Sequence, residues 1–463
     1  GYQAGGAITE GNNNVLIGHT AGGAITTGHT NIAIGVLAMD GFDTETNNLG
    51  IGYGALGGSV AGGEYNVAIG NSTLDALTSG DYNTAIGYQA ASGLTTANNN
   101  VFVGWEAGGA GTMTGNQNAV VGATSGTSLT SGACNIVLGP YSLKGNTEGS
   151  YNIAIGSDAV RYPDTESHNI GIGFKALGGP IAGGEYNVAV GNYALDAVTS
   201  GDKNVVVGYN AGTALTTNNE NTAVGYNAFN GGTGYNNVAI GHSAMSAAGS
   251  HHTSVGVGDA CLPLLTTGAI DNTAVGASAG ISMTTGSNNL MLGHDAGRTG
   301  SPGGSITTAD NIIVLGDENI TASNIQVDWT VASDARDKTD FTDLDIGLDF
   351  INALKPYTYK WDKRIKYISE ENRGVEDLDT ITHDGTHKED WLDIGFKAQE
   401  VETLEKASGY KIEDKTNLTT SLTGDGKQYG IQYSKFVPIL VKAVQELSAT
   451  VTTLQQEIKT LKG

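Results

Sequence analysis

The chain is 463 residues long, with 70 glycines, 39% hydrophobic residues and a net charge of −24. Glycine at that density without a three-residue period excludes collagen and points to a repetitive, turn-dense fold, and the length exceeds what one ordinary core fills. The negative charge excludes a surface built to hold a phosphate backbone, so no nucleic-acid partner is expected.

Charge is unevenly spread. Residues 1–332 hold 5 Lys/Arg against 23 Asp/Glu (net −18), and residues 333–463 hold 18 against 24 (net −6). The jump in charged-residue density near 333 marks a domain boundary. No signal peptide and no apolar run of membrane-spanning length is present, so no membrane insertion is expected. Gly1 opens the chain inside a repeat without Met, which predicts a preceding segment.

From the N-terminus, a unit Asn–x–small–aliphatic–Gly recurs at Asn31–Gly35, Asn66–Gly70, Asn83–Gly87, Asn152–Gly156, Asn187–Gly191 and Asn237–Gly241. Its closing glycines run from Gly18 to Gly241 in steps of 16 to 18 residues, with a looser continuation at Gly256, Gly276, Gly293 and Gly316. Within each unit the period is two: Val67 and Ile69 share one face, Asn66 and Ala68 the other. A short strand, a Gly corner, a second apolar stretch such as Ala55–Leu56 or Ala90–Ala91 and a polar loop make one coil. A coil buries its apolar side only by stacking on others, and Asn in one column predicts side-chain amide ladders. Eighteen coils at ~4.8 Å each predict a stack of roughly 85 Å. Residues 50–83 and 171–204 agree at 25 of 34 positions with an offset of 121, the mark of a duplication. The motif resembles the head repeats of trimeric autotransporter adhesins. That resemblance covers about 300 residues and implies left-handed parallel β-rolls that trimerise, as in the similar repeats of phage fibres.

Several positions in the repeats are candidates for binding. The residue after the closing Gly is often a ring: Tyr53, Tyr88, Trp105, Phe174, Tyr209 and Tyr226, with His19, His242 and His294. Such a column either stacks on sugars or packs coil against coil, and packing is the commoner outcome. His251-His252 lacks a clustered third ligand and reads as an exposed loop pair, so no metal is expected. The loops Leu262–Thr267 and Arg298–Ser305 interrupt the regular step and are the better place for receptor contacts. Cys134 and Cys261 lie about seven coils apart, too far for a disulfide.

After a short neck (321–332) the chain reads Ser333-Asp334-Ala335-Arg336-Asp337-Lys338, then Ala353–Trp361, Asp393–Glu402 and Tyr433–Pro438, which opens the final helix at about 434–462. Together these segments resemble the intramolecular chaperone autoprocessing domain of endosialidase-type tailspikes and many tail fibres. The resemblance covers 333–463. It implies cleavage between Ala332 and Ser333, with Ser333 as nucleophile and Lys338 as base. A Ser hydroxyl needs a base within hydrogen-bond reach, and Lys serves only if desolvation lowers its pKa. Five residues subtend about 140° on a helix, so the dyad predicts a turn there. In the last helix Val444, Leu447, Val451, Leu454, Ile458 and Leu461 follow a 3-4 spacing with polar neighbours, a narrow seam that predicts a parallel trimeric coiled coil.

The expected fold is therefore mainly β. A trimeric parallel β-solenoid of about 17-residue coils fills 1–320, and a small α+β domain ending in a trimeric coiled-coil helix fills 333–463. The expected function is that of a phage tail fibre, a virion protein made in the host cytoplasm for structure and host adhesion. Its partners would be its own copies, other virion tail proteins and a host cell-surface receptor, a glycan or an outer-membrane component. A C-terminal clamp would also fix register among near-identical coils. No cofactor is expected and no chemistry beyond single-turnover self-cleavage. A bacterial trimeric adhesin and a glycan-degrading tailspike with its enzyme domain elsewhere are the alternatives, and an ice-binding solenoid lacks a continuous Thr face.

Overall fold

The computed structural model describes residues 1–59, 61–109, 111–247, 249–326, 329–369, 372 and 376–463. The chain forms two compact units, residues 1–290 with 310–312, and residues 291–309 with 313–463.

Among the described residues eighteen three-residue strands, β1 (Val15–Ile17) to β18 (Ile313–Leu315), form one parallel sheet. Each strand sits one coil from the next; Val67, Ala68 and Ile69, for instance, pair with Thr84, Ala85 and Ile86. The fold is the expected parallel β-solenoid. The structure gives the period of two its polarity. The Asn and the small central residue point inward: Asn66 and Ala68 are fully buried. The branched aliphatics on either side, Val67 and Ile69, are only half-buried. A coil this short leaves room inside for Ala but not for two more branched side chains per turn. Where the central residue is large, as at Phe102, the opposite corner is Gly108, whose missing Cβ would lie 2.5 Å from the Phe ring.

The interior is organised by the asparagines. Asn83 donates from its backbone N–H and Nδ2 to Asn66 Oδ1 (3.0 and 3.1 Å) and from Nδ2 to the Ala97 carbonyl (2.8 Å). Its own Oδ1 accepts from Asn100 N–H and Nδ2 at 3.0 and 3.1 Å. Equivalent bonds link Asn14 through Asn289, with Ser254 standing in the column where other coils have Asn. The residue before each Asn turns through the left-handed region, as at Tyr65 (φ 57°) and Tyr82 (φ 58°). That backbone cost recurs with the coil and is offset by the ladder it aims. The closing glycines stack carbonyl on Cα: a Cβ on Gly87 (φ 136°) would sit 2.3 Å from the Gly104 oxygen.

After Gly241 the repeat is more regular than its sequence suggests. Val255, Gly256 and Val257 are the strand, paired with Val238–Ile240 and Thr273–Val275, so Gly258 closes the coil and Gly256 does not. Gly258 carries the φ of the closing column, 142°. The coils therefore keep their length as far as Gly293, and only the one ending at Gly316 is extended.

The second unit gathers α1 (Leu348–Ala353), α2 (Ala398–Ala407) and the base of α3 (Phe436–Lys462) with two antiparallel pairs. These pairs are β19 (Tyr357–Tyr359) with β20 (Asp393–Gly395), and β21 (Thr420–Leu422) with β22 (Tyr429–Ile431). Ile346, Phe350, Val401, Phe436 and Ile439 form its core. Val401 and Glu405 share a face of α2, and the buried Glu405 carboxylate accepts from Thr419 N–H (2.5 Å), Thr419 Oγ1 (2.7 Å) and the Thr420 hydroxyl. Glycine precedes α1 and cannot cap it, so Glu446 of α3 reaches over to accept from Leu348 N–H at 2.7 Å.

Candidate functional site

Ser333 and Lys338 meet because the backbone between them makes a tight turn. Asp334 accepts from the Arg336 N–H (2.9 Å), Ala335–Asp337 complete one turn of 3-10 helix, and Lys338 N–H closes it on the Ala335 carbonyl (3.3 Å). A smooth α-helix would have separated the pair. Lys338 Nζ instead lies 2.5 Å from Ser333 Oγ, donating to it. The Arg336 guanidinium, with its backbone N–H, holds the Asp334 carboxyl below its usual range. Ser333 and Lys338 are both exposed in the single chain. Close to them in sequence, Trp329, Val331 and Phe341 are 71–82% exposed, an unusual density of uncovered apolar area. Neck residues 327 and 328 lie outside the described residues.

The α3 seam is uncovered too. Only Phe436, Ile439 and Ala443 of this helix are buried, all near its base. Val444, Leu447, Val451, Leu454, Ile458 and Leu461 are 43–86% exposed along one stripe. The stripe begins earlier than its sequence suggested. Val437 and Leu440 are exposed and continue the 3-4 spacing backward, giving four heptads of Val or Ile alternating with Leu. Pro438 at the helix entrance masks that start; only the spacing itself would have revealed it.

The ring column after the closing glycines is present, and three of its six aromatic candidates, Phe174, Tyr209 and Tyr226, pack against other rings. Tyr209 stacks on Tyr226 and Tyr226 on His242, at 5.4 Å and within 10° of parallel, while Phe174 meets Tyr193 edge-on at 5.3 Å. Faces spent on neighbours are not available to a sugar, which favours packing for these three. Among the described residues Tyr53, Tyr88 and Trp105 have no ring partner and stay about half exposed. A second column went unread in the sequence, the residue before the ladder Asn: Tyr65 stacks on Tyr82 at 5.0 Å, and Tyr151, His168 and Tyr186 stack at 5.1 and 4.9 Å. Four tyrosines immediately before Asn in the repeat were its signal.

His251 is not an exposed loop residue. It sits where many other coils place glycine, its carbonyl accepts from Asn237 Nδ2 (2.8 Å), and its ring is fully buried edge-on to Phe229. Burial, with the neighbouring His252, pushes it down to about 4, and neither ring nitrogen has a hydrogen-bond partner. His252 stacks on Tyr235 instead. No group of three His, Cys, Asp or Glu side chains able to hold a metal converges among the described residues. Both cysteines are free, and burial pushes the Cys261 thiol up to about 12. No described helix is long and apolar enough to cross a membrane. The loop Arg298–Ser305, expected to face a receptor, is held by the chain itself, with Ser305 N–H donating to Asp425 at 3.0 Å.

Compared with known proteins, residues 333–409 match the family described as chaperone of endosialidase. No curated protein and no solved structure matches the chain.

Proposed function

We propose that the chain is a structural and host-adhesion fibre of a virion, assembled as a homotrimer and matured by one self-cleavage between Ala332 and Ser333. The observation that carries this reading is that one chain joins an eighteen-strand parallel solenoid to a segment, 333–409, that matches the chaperone of endosialidase, and ends in a helix beyond that segment with an uncovered heptad seam. Two half-buried columns of branched aliphatics along the strands, such as Ile136 and Leu138, give further copies an apolar face to cover. The helix alone does not set the number three. Val or Ile alternating with Leu favours two strands in isolated parallel coiled coils, so in this reading the count comes from the solenoid and the globular part.

In the cleavage step Lys338, once neutral, takes the proton of Ser333 Oγ, and Oγ adds to the Ala332 carbonyl carbon through a five-membered ring. The C–N bond breaks as Lys338 returns the proton to the Ser333 nitrogen, leaving an ester. Water then hydrolyses the ester to the Ala332 carboxylate and a free Ser333. A neutral lysine requires desolvation. Lys338 is exposed in one chain, and in this reading neighbouring copies that cover Trp329, Val331 and Phe341 supply the desolvation. Cleavage thereby becomes a report of assembly.

The test is the mass of the purified 47.4 kDa chain and of its Ser333→Ala variant under denaturing conditions, beside native light scattering. The expected result is a product ending at Ala332 from the parent, one uncut species from the variant and three copies in both. A cut variant refutes the nucleophile assignment, and a monomeric parent refutes the fibre.

A further inference from the structure

The extended last coil has a use that its length alone does not reveal. Within the second unit, residues upstream of position 333 are gripped at three places by residues downstream of it. The Ile365 side chain, buried with Ile368 and Leu378, fills the space beside Gly300 so closely that a Cβ there would lie 2.3 Å from Ile365 Cγ1. Asp425, at the tip of the β21–β22 hairpin, accepts from Ser305 N–H at 3.0 Å and lies against Gly304. Lys363 Nζ donates to the Glu318 carbonyl.

Both sides of this contact are pre-set. Asp425 is aimed by Thr423 Oγ1 (2.5 Å) and Lys427 N–H (3.1 Å). Arg364 ties the hairpin to the Ile365 cluster by donating to the Lys427 carbonyl (2.8 Å) and the Leu378 carbonyl (3.1 Å). On the coil side the buried Ser301 hydroxyl accepts from Gly297 N–H (3.1 Å) and donates to the Gly304 carbonyl (3.3 Å). Arg298 pairs with the buried Asp295 at 3.0 Å.

We propose that residues 300–305 and 318 are a docking surface for the chain's own C-terminal module, so that breaking the 332/333 bond leaves the module attached. Scission and release are then separate events, and the module continues to cap the last coil, which has no further coil to stack on, until the contact opens. The inference rests on the self-cleavage reading only for its biological setting, because the contact lies on either side of the bond however it is cut.

The test uses the full chain carrying Ser333→Ala and an inserted recognition site for an exogenous protease after Ala332. After cutting, gel filtration under native conditions is expected to carry the module with the solenoid. Asp425→Ala should speed its loss about tenfold, the scale of one hydrogen bond to a charged group. Gly300→Val, on the opposite side of the contact, should do the same and keeps the test open should Asp425→Ala fail to fold. Immediate separation after cutting overturns the proposal, as does retention that neither variant changes. Self-cleavage is read separately, from the parent chain on a denaturing gel.

Discussion

Removing one rung of the asparagine ladder tests what holds the solenoid together. In Asn83→Ala the buried Asn100 N–H loses its acceptor, Asn83 Oδ1, and the Ala97 carbonyl loses the Nδ2 that reached it. Asn66 Oδ1 keeps the backbone N–H of residue 83, and Asn100 Nδ2 keeps the Asn98 carbonyl, so these are spared. Two orphaned backbone groups at about 1–3 kcal/mol each predict a loss of about 2–6 kcal/mol. Coils touch only their neighbours, so the loss should be local. A single global unfolding energy would miss it. The suitable assay is native-state hydrogen exchange, in which the amides of Asn100 and its strand should exchange at least tenfold faster while those near Asn187 stay unchanged. Asn83→Asp sharpens the argument, since its carboxylate still accepts from Asn100 but repels Asn66 Oδ1 and the Ala97 oxygen. It should therefore be milder at low pH, where the acid form can donate one hydrogen bond. Protection at Asn100 within about 0.5 kcal/mol of the parent, well below that 1–3 kcal/mol scale, would show that the ladder is incidental to stability.

Other consequences are as direct. Leu447→Asp with Leu454→Asp should give monomers by light scattering and leave the 332/333 bond intact although Ser333 and Lys338 are untouched; a cleaved monomer would separate the chemistry from assembly. His251 falls from 6.5 to about 4, so the fold's preference for its neutral ring is fully present above pH 6.5 and is lost as pH drops toward 4. That amounts to about 3 kcal/mol, and His251→Phe should flatten the acid-induced rise in exchange in its coil between those limits. Glu405→Ala strands Thr419 N–H and two Thr hydroxyls in the core, so urea should unfold the C-terminal module earlier by about 3 kcal/mol or more without changing exchange in the coils near Asn83. A peptide of residues 434–463 should sediment as a dimer, and a stable trimer from that peptide would place the count of three in the helix after all.

The repeat announced itself because its glycines sit in a column where any Cβ would strike the next carbonyl, a constraint severe enough to survive sequence drift. Which face of the strand looks inward was not legible. A period of two identifies opposite sides, and only the width of the coil decides that Ala68 and Asn66 fill the inside while Val67 and Ile69 stay near the surface. The misread corner at Gly256 has a similar origin. Val-Gly-Val-Gly offers two glycines in the right phase, and only strand pairing distinguishes them. His251 looked like a loop residue because its burial depends on Phe229, one coil away. At the dyad the reverse held: a spacing of five demanded a turn, and Asp334 supplies it by capping on Arg336.

The duplicated block also has a mechanical meaning. From Gly52 to Gly173 the chain passes through a whole number of coils, so the copied segment leaves the stack at the same corner where it entered. The closing glycines and the ladder asparagines on both copies therefore face their own kind, Gly52 against Gly70 and Gly173 against Gly191, Asn48 against Asn66 and Asn169 against Asn187. A gene that gains or drops such blocks changes the height of the pile while asking no side chain to learn a new environment, which makes the number of storeys one of the cheapest properties of this molecule to alter.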